Sequence, residues 1–434
     1  MAERTPVTLR AYRLAAGGLT PFASLLLARR LKRGKEDVAR LGERYGRTTV
    51  RRPAGALVWL HAASVGELLA VLPLIERIRE QGFAILTTTG TLTSAKLAAE
   101  RLPKGAIHQF VPLDAPRFVT RFLNHWRPDL ALFVESDLWP NLITGISDRG
   151  IPLMLVNGRL SERSFNTWRR VPSTISTLLN RFDLCLAQSP SHAERYRDLG
   201  APRVTTTGNL KLDGPQPPAD EEKLRPLRFS IGHRPVIAAT STHPGEEEII
   251  VQAHLALRKM FPGLLTIIAP RHPERGDEVA AVASTSKLNV VLRSRGGLPT
   301  PRTDIYIADT LGELGLIYSL VPMVFIGGSL VSHGGQNPVE AVKLGSAVLH
   351  GPHISNFAEI YAELDTANGA LPVDSADDLI AAMRNWLEHP SEARKYAAAA
   401  SHTIEQLGGA LERTFGSLQP YLLQLRLERQ SRNA

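Results

Sequence analysis

The residues of this chain whose types and spacing could do chemistry gather in short polar loops directly behind apolar runs. Behind Leu57–His61 comes His61-Ala-Ala-Ser-Val-Gly-Glu67. Gly66 allows a tight turn and Glu67 opens a helix, so a carboxylate sits at a strand end. Within reach of a hydroxyl nucleophile such a carboxylate is a general base. The helix dipole also favours a Glu at a helix start, with no chemistry attached. Glu135-Ser-Asp-Leu-Trp-Pro140, Asn157-Gly-Arg-Leu-Ser-Glu-Arg163 and Gly208-Asn-Leu-Lys-Leu-Asp213 hold comparable positions. Together they aim Glu67, Glu135, Arg159 and Lys211 at one rim, more charge than a structural rim needs.

A second group follows. Ser241-Thr-His-Pro-Gly-Glu-Glu247 is another polar helix start, Ala269-Pro-Arg-His-Pro-Glu-Arg275 leaves an apolar run directly, and Asp309-Thr-Leu-Gly-Glu-Leu314 follows a third. Arg271 and His272 suit a phosphate, Arg supplying a planar fork of donors and His one more. From Val324 to Glu340 the chain reads as strand, glycine-rich loop, helix start: Gly327-Gly328 and Gly334-Gly335 surround a polar loop, and Asn337 is placed to cap a helix with Pro338 at its first position. Glycines let backbone approach a ligand, and helix-start N–H groups attract an anion. Asn337 and Glu340 can hydrogen-bond a ribose. A well-capped strand-to-helix turn would carry the same residues. The glycine spacing is neither G-x-G-x-x-G nor a Walker loop. With no H-E-x-x-H, no paired cysteines and no Asp-x-Asp, a metal centre is not expected, and His350-Gly-Pro-His353 reads as a loop near the nucleotide. No G-x-S-x-G supports a Ser nucleophile. The single cysteine, Cys185, lies between Leu184 and Leu186 and reads as a buried structural thiol.

Alternating elements must carry these loops. Apolar runs at Leu57–His61, Phe83–Thr87, Ile107–Val111, Leu130–Val134, Leu153–Val156 and Leu184–Ala187 alternate with helical stretches such as Glu67–Arg79 and Ser191–Leu199. A second series, Val236–Ala239, Leu264–Ala269, Ile305–Ile307, Val324–Ile326 and Ala347–Leu349, follows a Pro-rich polar stretch, and Ala376 to about Leu427 is helical. This alternation predicts α/β architecture with mostly parallel sheets. The expected division is a basic, apolar segment over 1–35, a Rossmann-like domain over 36–213, a linker over 214–230 and a second Rossmann-like domain over 231–434 that includes the terminal helices. Ligands are then expected beyond the strands' C-terminal ends, in a central cleft.

At 434 residues, 43% hydrophobic and 21% charged, the chain is a soluble globular type too long for one core. Residues 1–52 hold 13 Lys/Arg against 4 Asp/Glu, which accounts for the entire net charge of +9. Charge so segregated argues against nucleic acid as a partner. The apolar run Leu19–Ala28 is too short to cross a bilayer core of about 30 Å. Arg29-Arg-Leu-Lys-Arg33, rather than a cleavage site, follows it. Apolar residues beside bases suit an interfacial anchor on an anionic leaflet, each base contributing about 1 kcal/mol near the surface. The other reading is a basic tail.

The motifs resemble one family, the lipid A 3-deoxy-D-manno-octulosonic acid (Kdo) transferases. The resemblance runs in order from about residue 36 through Arg40–Gly46, His61–Glu67, Glu135–Ile143, Asn157–Ser164, Gly208–Asp213, Ser241–Glu247, Pro270–Arg275, Asp309–Leu314, Gly327–Glu340 and Gly351–Ile360. It implies a GT-B fold and an inverting, metal-independent transfer from CMP-β-Kdo to a lipid A precursor, a tetraacyldisaccharide bisphosphate, in lipopolysaccharide core biosynthesis. It also implies a Gram-negative source and a place on the cytoplasmic face of the inner membrane, peripheral or monotopic, held through residues 1–52. By position, Glu67 resembles the general base, and Glu135 and Lys211 the transition-state stabilisers. Arg271, His272, Leu311, Gly312, Glu313, Asn337, Pro338, Val339 and Glu340 match the family's CMP-binding segments. Ser136-Asp137 stands where Thr-Glu is usual, and Gln336 where a His is usual. The alternatives are a GT-B enzyme using another nucleotide sugar, an epimerase among them, and a non-catalytic membrane-surface protein binding a polyanion through its basic N-terminus.

Overall fold

The computed structural model describes residues 5–214, 216, 217 and 219–433, with backbone alone over 429–433. It divides into two compact units, one running to Gly214 and resuming at Gly408, the other from Pro215 to Leu407. Each contains, among the described residues, a seven-stranded parallel sheet.

In the first unit the strands are β1 (Leu57–His61), β2 (Ala84–Thr89), β3 (Ile107–Phe110), β4 (Leu130–Val134), β5 (Leu153–Gly158), β6 (Leu184–Ala187) and β7 (Val204–Thr206). They are ordered β3-β2-β1-β4-β5-β6-β7. Leu57–His61 and Leu130–Val134 are buried throughout, as central strands covered on both faces must be. In the second unit β8 (Val236–Thr242), β9 (Leu265–Pro270), β10 (Val290–Leu292), β11 (Ile305–Ile307), β12 (Met323–Ile326), β13 (Ala347–His350) and β14 (Ala370–Pro372) are ordered β10-β11-β9-β8-β12-β13-β14. In both sheets the winding reverses at the middle, between β1 and β4 and between β8 and β12. The loops behind such a pair diverge and leave a crevice, the usual ligand position in doubly wound sheets.

Local sequence explains how the helices start. Ser64 caps Val65–Glu80 by accepting the Glu67 N–H at 3.3 Å, while Glu67 reaches back to the Ala63 N–H at 2.8 Å and the Ser64 hydroxyl at 2.9 Å. Gly66 lies inside this first turn rather than in a tight turn before it, with no other atom within 4 Å of where its Cβ would stand.

Two expected boundaries are corrected. The helix Glu221–Ile231, capped by Asp220, occupies most of the expected linker and belongs to the second unit. Pro226 lies inside it. Pro215 and Pro218 fall outside the described residues. The terminal helices also part company. Pro390–Leu407 stays with the second unit, but Ala410–Asn433 joins the first. Ala410, Phe415, Leu418 and Leu422 form a stripe at helical spacing and share a core with Val58, Leu60, Leu68 and Ile75. Asp213 ties that helix down, accepting the Gly409 N–H at 2.8 Å and the Leu411 N–H.

The N-terminal segment is docked structure rather than a tail. Its helices Val7–Gly18 and Ala23–Lys32 bury Leu9, Ala23 and Leu27. Leu14, Leu19, Phe22, Leu25 and Leu26 stay half or more exposed, and Arg29, Arg30 and Lys32 fill the last turn of the second helix. No helix among the described residues is long and apolar enough to cross a membrane.

Candidate active site

In the first unit, Glu67, Glu135 and Lys211 come together behind the ends of β1, β4 and β7. Glu135 follows β4 with φ 59°, and Asn157, next to last in β5, has φ 54°. Left-handed backbone at non-glycine residues carries a cost of order 1 kcal/mol or more, and it tends to persist where surrounding structure imposes it. Here the imposing contacts are visible. Glu135 N–H donates to the Val156 carbonyl at 3.0 Å, and the buried Tyr196 hydroxyl donates to the Glu135 carbonyl at 3.1 Å. Asn157 accepts the Leu210 N–H at 2.9 Å, which fixes the turn carrying Lys211. The Lys211 ammonium lies 2.5 Å from Glu135 Oε1, with both side chains largely buried.

The Glu67 carboxyl is pushed above its ordinary range, first by burial and then by the negative charges of Glu135 and Asp137. Asp137 itself bonds the buried imidazole of His61 at 3.2 Å, and His61 is held from its other side by Thr88 at 2.9 Å. Burial alone would raise the Asp137 carboxyl; the hydrogen bond and charge of His61, with a bond from Trp139, more than offset it and leave it low. Glu67 and Asp137 are thus separated in basicity, the arrangement expected where one carboxylate must accept a proton and its neighbour must stay ionised.

The Arg40–Gly46 motif supports this group from below. Arg40 pairs with Glu43 at 2.8 Å, and Glu43 accepts the Phe110 N–H. Arg44, buried against Glu36, donates to the Gly90 carbonyl at 2.7 Å, and Gly90 N–H in turn donates to the Ala63 carbonyl. Ala63 is the residue whose N–H Glu67 holds.

In the second unit the donor-type residues gather behind β8, β9 and β12. Ser241, next to last in β8, has φ 56°, and Arg271 N–H donates to the Thr242 carbonyl at 3.0 Å. Arg271 and His272 are exposed. The charge of Arg271 reaches Glu340, whose carboxyl is nevertheless raised by burial, with Lys343 and Arg271 only partly countering it. Asn337 accepts the Val339 N–H at 3.1 Å at the start of the one-turn helix Val339–Lys343; Pro338 precedes that helix rather than opening it. His243 stacks on His333 with ring centroids 4.1 Å apart and meets His272 edge-on. Burial first, then His333, His272, Arg271 and Arg275, drive its imidazole down to about 4, so it is neutral at physiological pH.

Glu313 is engaged within the second unit. Its carboxylate is taken up by Arg293, by Lys223 at 2.9 Å and by the Thr310 hydroxyl at 2.5 Å. The Arg293 hydrogen bond above all holds it down at about 2. What this loop exposes is Leu311 and Gly312, the latter at φ 76°.

Several functional candidates escaped sequence reasoning. Asp137 was visible only as a departure from the family pattern, and Tyr196 gave no signal at all. Glu246 and Glu247 stood in a motif read only as a polar helix start. Among the described residues no group of three or more His, Cys, Asp or Glu side chains is arranged to hold a metal ion. Cys185 is buried, and burial raises its thiol to about 12, so it is an inert thiol.

With this geometry in hand, residues 39–214 match the family model described as 3-deoxy-D-manno-octulosonic-acid transferase (kdotransferase). The chain is also 36% identical to the 3-deoxy-D-manno-octulosonic acid transferase of Haemophilus influenzae, over 88% of this chain and 91% of that one. It belongs to the Kdo transferase family. A probable mitochondrial member from Arabidopsis thaliana is 35% identical over 93% of both chains. A solved glycosyltransferase from Rickettsia africae, 11% identical, superposes with a TM-score of 0.59 over 86% of this chain and 99% of that one. That likeness speaks for the fold, two Rossmann-like units of GT-B type. As a family member, the chain is a glycosyltransferase. The matched region of the Kdo transferase model contains Glu67, Glu135 and Lys211.

Proposed function

We propose that this protein transfers Kdo from CMP-Kdo to a lipid A precursor, inverting the anomeric centre and using no metal ion. Glu67 removes the proton from the acceptor hydroxyl. The oxygen then bonds to the anomeric carbon as the bond from that carbon to the CMP phosphate oxygen breaks, and CMP leaves with the electron pair. The raised Glu67 carboxyl carries this reading: burial beside Glu135 and Asp137 makes it a stronger base than a solvated Glu. Lys211 and Glu135, locked as a pair, present fixed charges to an oxocarbenium-like transition state.

Arg271, His272, Asn337 and Glu340, together with the exposed backbone at Leu311–Gly312, hold the CMP. Arg271 takes up the charge developing on the leaving phosphate, the part a divalent ion plays in other transferases. The carboxylate of Glu313 serves the loop, through Arg293 and Thr310, rather than the ligand.

The acceptor is a lipid, and the N-terminal helices supply a surface to meet it. Phe22, Leu25 and Leu26 share a face at helical spacing, and the bases of the following turn lie beside them. This is the composition of an interfacial anchor on an anionic leaflet, and it supports a peripheral position at the membrane.

Isothermal titration with CMP and UDP tests the donor assignment. CMP binding with no UDP response is the expected result. A UDP response equal to that of CMP would favour a different nucleotide sugar.

A further inference from the structure

The helix that opens at Glu246 begins with two adjacent acids that are both essentially inaccessible, at 0% and 1% exposure. Two neighbouring buried carboxylates repel and lose solvation, so each needs dedicated partners to persist there. Their partners lie on two different loops.

Glu246 Oε1 accepts the N–H groups of Ser329 and Leu330, both at 3.0 Å. Its Oε2 accepts Gly328 N–H at 2.7 Å and His243 N–H at 2.9 Å. Three consecutive amides of the glycine-rich loop are therefore committed inward and are not free to bind an anion. The loop is fixed instead. Gly328 carbonyl accepts from Gly335 N–H at 2.7 Å, Gly327 carbonyl accepts from Gln336 N–H at 3.2 Å, and the next two positions along include Asn337. At Gly327 a Cβ would come within 2.6 Å of the Ser241 carbonyl oxygen, so the end of β12 can sit against β8 only as glycine. The loop is pressed onto the strand end that leads to Glu246.

Glu247 faces the other way. Its Oε1 accepts the Thr242 hydroxyl at 2.9 Å and Arg275 Nη1 at 2.7 Å. Arg275 closes the segment that opens with Arg271 and His272, and its guanidinium is held further by Glu278 at 2.9 Å.

We propose that Glu246 and Glu247 are the positioning residues of the donor-nucleotide site. Glu246 fixes the loop that delivers Asn337 and Glu340, and Glu247 fixes the segment that delivers Arg271 and His272. One helix start sets the spacing between the ribose-facing and phosphate-facing groups. The inference rests on the CMP assignment above and extends it to residues that do not touch the ligand.

The test uses the full-length protein, with Glu246→Gln and Glu247→Gln. A carboxamide at 246 keeps one acceptor oxygen and turns an NH₂ toward two N–H donors, so the loop must shift. At 247 the carboxamide keeps the Thr242 hydroxyl but loses the Arg275 ion pair. For Glu246→Gln the expected result is a rise of about tenfold or more in CMP Kd and in donor KM. Glu247→Gln should show a rise of about three- to tenfold, and in both the lipid acceptor KM should stay within about twofold. A structural defect would move both substrates together, so equal rises in the two KM values would overturn the proposal. Folded variants with unaltered CMP Kd would overturn it as well. Amide exchange in the wild type decides the matter even if Glu246→Gln does not fold: protected amides at 328–330 without ligand are expected, and free exchange there would refute the loop-fixing role. A wild type that fails to bind CMP while those amides are protected would count against the nucleotide reading and leave the loop assignment standing.

Discussion

Replacing Glu67 with Gln should separate rate from stability. In the wild type the carboxylate accepts the Ala63 N–H and the Ser64 hydroxyl. A carboxamide can keep its oxygen on Ala63 and donate its NH₂ to Ser64 Oγ, since the hydroxyl is free to rotate. The cap therefore survives at a cost of a few tenths of a kcal/mol to about 1 kcal/mol. Removing the charge also relieves repulsion from Glu135 and Asp137. Because the folded state raises this carboxyl, its protonated form favours folding. That contribution is fully present below the unfolded pKa and is lost as pH rises through the folded one. At neutral pH the Gln variant should thus unfold within about 1 kcal/mol of wild type. Catalysis behaves differently. Loss of a general base costs about 10²–10⁴ in kcat, or roughly 3–5 kcal/mol of barrier. The assay is kcat against pH on detergent-solubilised acceptor, with urea unfolding in parallel. Wild-type kcat should rise with pH along an acid limb lying above the ordinary carboxylate range, and the variant should lack that limb. A Gln variant that kept more than a tenth of kcat and the same acid limb would refute the assignment.

Lys211→Ala leaves the Glu135 carboxylate without its cation. The rate should fall about 10²–10³-fold, and the acid limb should move to higher pH because the Glu135 charge on Glu67 is no longer offset; an unmoved limb would show that Lys211 does not act in this cluster. Phe22→Ser and Leu25→Ser should each weaken sedimentation with anionic vesicles by roughly ten- to thirtyfold, from about 1.5–2 kcal/mol of lost burial each, while transfer to acceptor in detergent is unchanged. Equal binding of wild type and variants would remove the anchor.

The central strands were legible because a parallel sheet buried on both faces demands unbroken apolar runs, as at Leu57–His61 and Leu130–Val134. The three strands that reasoning from sequence missed, Val204–Thr206, Val290–Leu292 and Ala370–Pro372, are each three residues long and lie at or beside a sheet edge. They have little apolar surface to announce them. The placement of Ala410–Asn433 was not legible either, since an Ala/Leu-rich stripe fits any sheet face. Gly408-Gly409 marks the break, and Asp213 supplies the attachment, but a contact spanning some 200 residues leaves no local signature. At the candidate site, the polar loops could be read because strand-end loops rarely carry so much charge for structure alone. Their internal commitments could not. Glu313 satisfied by Arg293, and Glu246 holding three loop amides, depend on distances that spacing does not encode.

The most direct test of the account is transfer by purified protein in detergent. A lipid A precursor, Kdo and a CMP-Kdo-generating enzyme would be supplied, with EDTA added once the donor has formed and products read by mass spectrometry. The account predicts Kdo-sized mass increments on the lipid that persist in EDTA and vanish with Glu67→Gln. An unchanged lipid mass despite CMP binding would contradict the proposed acceptor and reaction, and loss of product in EDTA alone would contradict a metal-free mechanism.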